Sequence, residues 1–289
     1  MVLAGGEGTR LRDLAFQFSG DSRPKQFCRF FGGKTLLSHT CERILPLFSA
    51  DQTLFILTLA HEPYFRDELS EVKCGRKIVQ PFNRGTAIAM NVCLERIMQQ
   101  DEDALVAFFP SDHHYLDCEA FRNSVAAGLQ TVEEYPHSVL LMGAQAHYPE
   151  VEYGWIEQGR TLVDSEVNPV YRVARFWEKP KLQCATLLQQ RGCLWNTFIT
   201  MGLASAFLEL LHGTIPHLKR LSNSRALNSD LDTFYNKVET ADFSTDVLCR
   251  VPGRLIVLQD STSGWTDLGS PDRLTSTLAL HESCCDQTR

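Results

Sequence analysis

The chain has 289 residues, 44% hydrophobic and 22% charged, which excludes a disordered or fibrous protein and leaves room for one large α/β domain. A formal charge of −7 argues against a general nucleic-acid surface, so basic residues that cluster locally carry the information. Ten cysteines are scattered without a Cys-x-x-Cys spacing, no signal-peptide pattern opens the sequence, and no apolar run reaches the ~18 residues of a membrane span, which points to reduced thiols in a cytoplasmic protein.

The first predicted element is an apolar strand over residues 1–4, below the usual ~5 residues, which fits a chain that starts further upstream. It runs into Gly5-Gly6-Glu7-Gly8-Thr9-Arg10, a glycine-rich turn ending in a cation. Such a turn lets a ligand approach the main chain, lines up N–H groups as an anion nest and adds a guanidinium fork. It can equally be a turn and nothing more. Two familiar phosphate loops do not fit: the dinucleotide fingerprint needs a third glycine where Leu11 stands, and the P-loop needs one where Cys28 stands. Gly33-Lys34-Thr35 therefore reads as an ordinary helix start. Leu36, Leu37, Cys41, Ile44, Leu45 and Phe48 have helical spacing, and residues 53–59 read as a buried strand. A helix near 63–69, a strand at 77–80, a helix over 86–99 and a strand at 104–109 continue the alternation, which predicts a mostly parallel sheet with helical crossovers. A helix over 118–134 and a strand at 138–143 follow.

From there the texture changes. Residues 153–157 and 171–180 are short β-rich pieces that suit a second, smaller lobe over the sheet. A helix near 182–190, a strand over 194–199, helical sequence to about Lys237, a last strand at 255–258 and a final helix after Gly264-Trp265-Thr266-Asp267-Leu268-Gly269 complete the chain. Ligands of parallel sheets sit beyond the carboxyl ends of strands, so the informative loops are 5–10, 80–86 and 110–113. In the last of these, Asp112 is suited to a hard divalent cation shared with phosphate oxygens, or else to a helix N-cap. His113 and His114 are adjacent, so on a strand they point to opposite sides, and no spaced partners complete a zinc site. In Gln80-Pro81 with Asn83-Arg84-Gly85-Thr86, the glycine at 85 permits main-chain hydrogen bonds to the edge of a base, a reading compatible with a loop capped by Asn83. Glu178-Lys179-Pro180 taken alone is a solvated surface pair, and Trp195 a core residue.

Gly5 to Leu11 followed by Pro24-Lys25-Gln26-Phe27 resembles the signature of the sugar-1-phosphate nucleotidyltransferases, and the phenylalanine after the glutamine is most similar to the mannose-1-phosphate guanylyltransferases. Pro110-Ser111-Asp112-His113 resembles the guanylyltransferase form of the metal-aspartate segment. Tyr153-Gly154, Glu178-Lys179, Trp195-Asn196 and Trp265 to Gly269 follow in family order, so the resemblance covers nearly the whole chain. It implies a Rossmann-like α/β fold with a small β-rich sugar-binding lobe. It also implies one domain over 1–289, in which 1–145 serve mainly the nucleotide and 146–289 mainly the sugar phosphate. Carried over residue by residue, it assigns catalysis to Arg10, Lys25, Asp112 and Lys179. Nucleotide contacts fall to Gly5, Gly6, Gly8, Thr9, Gln80, Arg84, Gly85 and Thr86, and sugar-phosphate contacts to Gly154, Glu178, Lys179 and Asn196. Asp112 and Asp267 become ligands of a Mg²⁺ cofactor. The implied reaction joins GTP and mannose-1-phosphate into GDP-mannose and pyrophosphate, with no nucleic-acid or membrane partner and with a homodimer left open. Two alternatives stand beside it: the same chemistry on another base or sugar, and a catalytically silent nucleotide-sugar sensor. The sequence departs from the family at Asp13, which replaces a proline, and at Thr197-Phe198, which replace a small residue and a glycine.

Overall fold

A nine-stranded sheet organises the computed structural model, which describes residues 1–71, 75–222 and 230–286. Its first four strands, β1 (Val2–Leu3), β2 (Leu54–Thr58), β3 (Arg76–Gln80) and β4 (Leu105–Pro110), lie in the order β3-β2-β1-β4 and all pair in parallel. β2 is buried at every position, as expected of a parallel strand covered on both faces. The helices of this half are α1 (Arg12–Ser19), α2 (Leu36–Ile44), α3 (Glu62–Glu71) and α4 (Thr86–Met98). Thr35 caps α2 by accepting a hydrogen bond from the Ser38 N–H at 3.0 Å, in keeping with the helix start read from Lys34-Thr35.

Beyond β4 come β5 (His114–Tyr115), α5 (Cys118–Glu134), β6 (Val139–Gln145), β7 (Gly154–Val163), β8 (Val170–Glu178), α6 (Leu182–Gln190) and β9 (Leu194–Leu203). Then follow α7 (Ala204–Thr214), α8 (Pro216–Ser222), α9 (Leu231–Lys237), α10 (Phe243–Asp246), β10 (Leu255–Asp260), β11 (Trp265–Thr266) and α11 (Pro271–Asp286). The sheet continues from β4 as β9-β6-β10-β8-β7. β8 and β9 run against the other seven strands, so the sheet is mostly parallel in direction.

The β-rich stretch expected as a lobe over the sheet is the far end of that same sheet. β7 pairs with β8 along its length and reaches β9 at Trp155 and Ile156. Val170, Val173 and Phe176 of β8 are buried at intervals of three, where a regular strand would bury every second residue, and the pairing of β8 with β7 shifts register along this stretch. A small second sheet also forms: β11 pairs with β5, setting Trp265 opposite Tyr115 and Thr266 opposite His114. It ties the loop after β4 to the loop after β10. Two-residue strands carry no readable period, so the sequence offered no sign of it.

Cys28, Cys41, Cys93 and Cys193 are buried and Cys118 is exposed, while the side chains of Cys284 and Cys285 lie outside the described residues. Among the described residues no helix is long and apolar enough to cross a membrane.

Candidate active site

The loops after β1, β3 and β4 open on one face and border a cleft of about 430 Å³, whose walls include Gly5, Gly6, Arg10, Gln80, Gly85 and Thr86. Gln26 holds the first loop from beneath, its Nε2 donating to the carbonyls of Ala4 at 3.1 Å and Gly6 at 2.9 Å. Gly8 has φ +59°, and a Cβ there would lie 3.0 Å from the Lys25 nitrogen, so the loop closes onto the Pro-Lys-Gln segment only as glycine. Thr9 opens a 3-10 turn over Thr9–Leu11, and its side chain lies outside the described residues. Arg10 is exposed and pairs with Glu152 at 3.1 Å across the mouth.

On the opposite wall Gln80 is buried, and its Oε1 accepts from the Tyr235 hydroxyl at 2.8 Å. That bond orients the amide so that Nε2 lies 3.4 Å from Thr58 Oγ1. Asn83 Oδ1 accepts from the Gly85 N–H at 2.8 Å, an Asx turn before α4. Gly85 itself has φ +87°, and a Cβ would strike the Ala241 carbonyl at 2.2 Å. Thr86 Oγ1 donates to Asp242 at 3.0 Å and accepts from the Phe243 N–H at 2.9 Å. Arg84 is turned to the loop's support: its guanidinium lies over the Phe82 ring at 4.8 Å, its Nε donates to the Tyr235 carbonyl at 3.1 Å, and it is not part of the cleft wall.

A second cavity, about 310 Å³, shares Arg10, Asp112 and His113 with the first and adds Lys25 and Asp267. Asp112 stands in the turn between β4 and β5. The next helix, α5, starts at Cys118 with Asp117 as its cap, which removes the N-cap alternative for Asp112. Lys25 is buried, with Nζ 3.1 Å from Asp112 Oδ2 and donating to the Asp267 carbonyl at 2.6 Å. Asp267 Oδ1 accepts from the Tyr153 hydroxyl and the Gly269 N–H, each at 2.8 Å, and lies 2.9 Å from Arg273 Nε in ion-pair contact. Oδ2 keeps one long contact, 3.5 Å to Arg273. Burial works against ionising Asp267, but Lys25 and Arg273 outweigh it and hold the carboxyl below its ordinary value. Arg273 is fixed in turn by Glu150 at 2.5 Å and by the Tyr153 ring at 4.8 Å.

Among the described residues no group of three or more His, Cys, Asp or Glu forms a metal cluster. Two carboxylates facing one cavity, one with an oxygen nearly unengaged, are a hard oxygen set that suits Mg²⁺ when phosphate and water complete the shell. Burial lowers the His113 pKa to about 4, so the ring is neutral. Trp265 Nε1 donates to its Nδ1 at 3.0 Å, which places the proton on Nε2, 3.8 Å from Asp112 Oδ1. His114 points the other way and stacks on Phe31 at 4.7 Å.

Gly154, Glu178 and Asn196 converge on the far side. A Cβ on Gly154 would sit 3.0 Å from Glu178 Oε2 and 3.3 Å from Asn196 Cβ. Burial first, then the charge of Asp242, pushes the Glu178 carboxyl up to about 7 against the pull of Lys179. Lys179 is exposed at φ +44°, its N–H donating to the Tyr153 carbonyl at 3.1 Å. None of these four lines either cavity; Phe198 and Asp242 line the first, and they connect the sides. Trp195 is buried against Tyr153, Tyr148 and Trp155, the core role it has on its residue type alone.

Asp242, Tyr235 and Arg273 escaped the sequence reading. Asp242 carries one local signal, a cap for α10 through the Thr245 N–H at 3.0 Å, and that signal says nothing of Thr86.

A model of the nucleotidyl transferase family matches residues 1–283. The chain is 30% identical over 286 residues to the alginate biosynthesis protein AlgA of Pseudomonas putida, covering 93% of this chain and 56% of that protein. It is 29% identical over 288 residues to mannose-1-phosphate guanylyltransferase 2 of Escherichia coli O157:H7, covering 93% and 58%. It thus spans a little over half the length of these curated relatives. A crystal structure of a mannose-1-phosphate geranyltransferase from Thermus thermophilus matches with a TM-score of 0.82 and 28% identity over 95% of this chain and 78% of that one. A UDP-glucose pyrophosphorylase complexed with UDP-glucose shares the fold alone, with a TM-score of 0.62 at 15% identity over 98% and 97% of the two chains.

Proposed function

The chain belongs to the nucleotidyl transferase family, and we propose that it joins GTP to mannose-1-phosphate, giving GDP-mannose and pyrophosphate. The observation that carries this reading is Lys25, buried between Asp112 and the Asp267 backbone beside the cavity that the Gly8 and Arg10 loop also walls. Guanine and mannose are supported by Pro24 to Phe27, by the Gln80 to Thr86 loop, and by the mannose-1-phosphate guanylyltransferase among the relatives.

In this reading a non-bridging oxygen of the sugar phosphate attacks the α-phosphorus. The bond from that phosphorus to the bridging oxygen of the leaving pyrophosphate breaks, and the bridging oxygen keeps the electron pair. A phosphate monoester has its second pKa near ~6 and is already largely dianionic at neutral pH, so no general base is needed. What remains is to align two anions and offset their charge. Main-chain N–H groups of the glycine-rich loop, with Arg10 and Lys25, hold the triphosphate, and Lys25 meets charge as it moves onto pyrophosphate. Arg10 leaves Glu152 to do so, at little cost because the pair is exposed. Gln80, Gly85 and Thr86 border the base, while Glu178, Asn196 and Lys179 serve the sugar phosphate. Asp112 and Asp267 would hold Mg²⁺, which when bound supplies positive charge to the phosphate oxygens.

A pyrophosphate-release assay with GTP, dTTP, CTP, UTP and ATP against mannose-1-phosphate and glucose-1-phosphate tests the assignment. The highest kcat/KM is expected for GTP with mannose-1-phosphate. Faster turnover with dTTP or glucose-1-phosphate overturns the choice of pair, and no turnover of any pair would favour a nucleotide-sugar sensor.

A further inference from the structure

β9 carries a bulge where it passes the cleft. It pairs Thr200 with Leu141 and Asn196 with Gly143, so Met142 of β6 faces the three residues 197–199. Side chains close both flanks. Thr197 Oγ1 donates to the Met142 carbonyl at 2.7 Å, and Asn196 Oδ1 accepts from the Phe198 N–H at 3.1 Å. At the apex Phe198 has φ +63°, a left-handed conformation that costs a bulky residue free energy and that glycine adopts without penalty. Strain of this kind persists where the surroundings impose it, and bulges beside sites re-aim a side chain.

Here the re-aimed side chain is a phenyl ring. Phe198 lines the same cleft as Gly85, Thr86 and Asp242 and meets Phe243 edge-on at 6.4 Å, which limits where the ring can go. Two residues earlier, Asn196 belongs to the group with Gly154 and Glu178 and is locked by the same turn. The ring therefore stands between the nucleotide loops and the sugar-phosphate group, in space that a residue without a side chain would leave open.

We propose that Phe198 is a specificity-determining residue whose ring walls the acceptor site. It admits hexose-1-phosphates with plain hydroxyl substituents and excludes those bearing a bulky acylamino group. This rests on the nucleotidyl-transfer reading above. A ring that fills space beside the acceptor discriminates by steric exclusion, and removing it opens the site.

Phe198→Ala and Phe198→Gly separate the ring from the backbone: alanine removes the ring and keeps the left-handed penalty, whereas glycine removes both. In a pyrophosphate-release assay with GTP, both variants should raise kcat/KM for N-acetylglucosamine-1-phosphate relative to mannose-1-phosphate by at least ~10-fold. The KM for GTP should change less than the ratio between the two sugars. The glycine variant should melt above the alanine variant, and it decides the outcome if alanine does not fold. An unchanged ratio in a folded variant, or an equal loss on both sugars, overturns the role of Phe198 while nucleotidyl transfer stands. A wild-type protein that uses no sugar-1-phosphate overturns the nucleotidyl-transfer reading instead, and the wall with it.

Discussion

The two sides of the cleft turn their backbones by different means. On the nucleotide side the left-handed positions are Gly8 and Gly85. Among the described residues the non-glycine left-handed positions are Lys179, Phe198 and Leu268, two on the sugar side and one next to Asp267. At Gly85 a side chain has nowhere to go, because the Ala241 carbonyl stands 2.2 Å from its Cβ position. At Lys179 and Phe198 a side chain is present at a cost of order ~1–3 kcal/mol each. Hydrogen bonds from their own N–H groups, to the Tyr153 carbonyl and to Asn196 Oδ1, hold them there. The nucleotide loops are also tied to distant chain: Ala241 pairs with both Arg84 and Ala87, and Tyr235 orients Gln80. In the proposed reading, main-chain recognition of the nucleotide resists substitution, whereas the choice of sugar rests on side chains that can be exchanged.

The largest expected effect lies where the sides meet. Asp112→Asn and Asp267→Asn should each lower kcat/KM by at least ~10²–10³, because either would remove charge from the proposed cation site. The double variant should be scarcely slower than the worse single one; additive losses in ΔΔG‡, measured at saturating Mg²⁺, would separate the two carboxylates into independent roles.

Gly85→Ala probes the backbone rule. The φ penalty and the clash with Ala241 should together lower stability by more than ~2 kcal/mol, with nucleotide use lost alongside. A thermal melt like that of the wild type would show that the loop can move aside and that the glycine is not required.

Lys179→Ala probes the side-chain rule. Losing one charged contact, worth ~1.5–3 kcal/mol, should raise the KM for the sugar phosphate about 10- to 100-fold and leave that for GTP in place. An equal rise for GTP would mean that the two sides do not divide the substrates.

The smallest effect concerns Glu178. Its folded pKa of about 7 lies above the ordinary 4.5, so the stability linked to its protonated form is full below 4.5 and is lost as pH rises through 7. Glu178→Gln, which cannot ionise, should therefore gain on the wild type by a few degrees of Tm between pH 5 and pH 8. A constant difference across that range would show that burial and Asp242 do not raise the Glu178 pKa in the folded protein.

Signals that act within a few residues were legible before any coordinates. Helical periodicity marked α5 at 118–134 and α6 at 182–190, the ends they have in the fold. Alternating elements indicated a mostly parallel sheet, and glycine and proline punctuation marked the loops that border the cleft. The residues that organise those loops were not legible, because their partners are remote: Thr86 meets Asp242 156 positions on, and Gln80 meets Tyr235 155 positions on. Nor did any local pattern place β9 between β4 and β6 or pair β5 with β11, and those pairings bring Asp112 to the cavity of Asp267 and set Phe198 on its bulge. Helices, strands and the loops that border the cleft could be read from the residues alone, since spacing, glycine and capping act through neighbouring peptide groups. Which side chains face the cleft came only from the assembled fold, because that depends on strand order and on contacts between segments more than a hundred residues apart, where no local preference reaches.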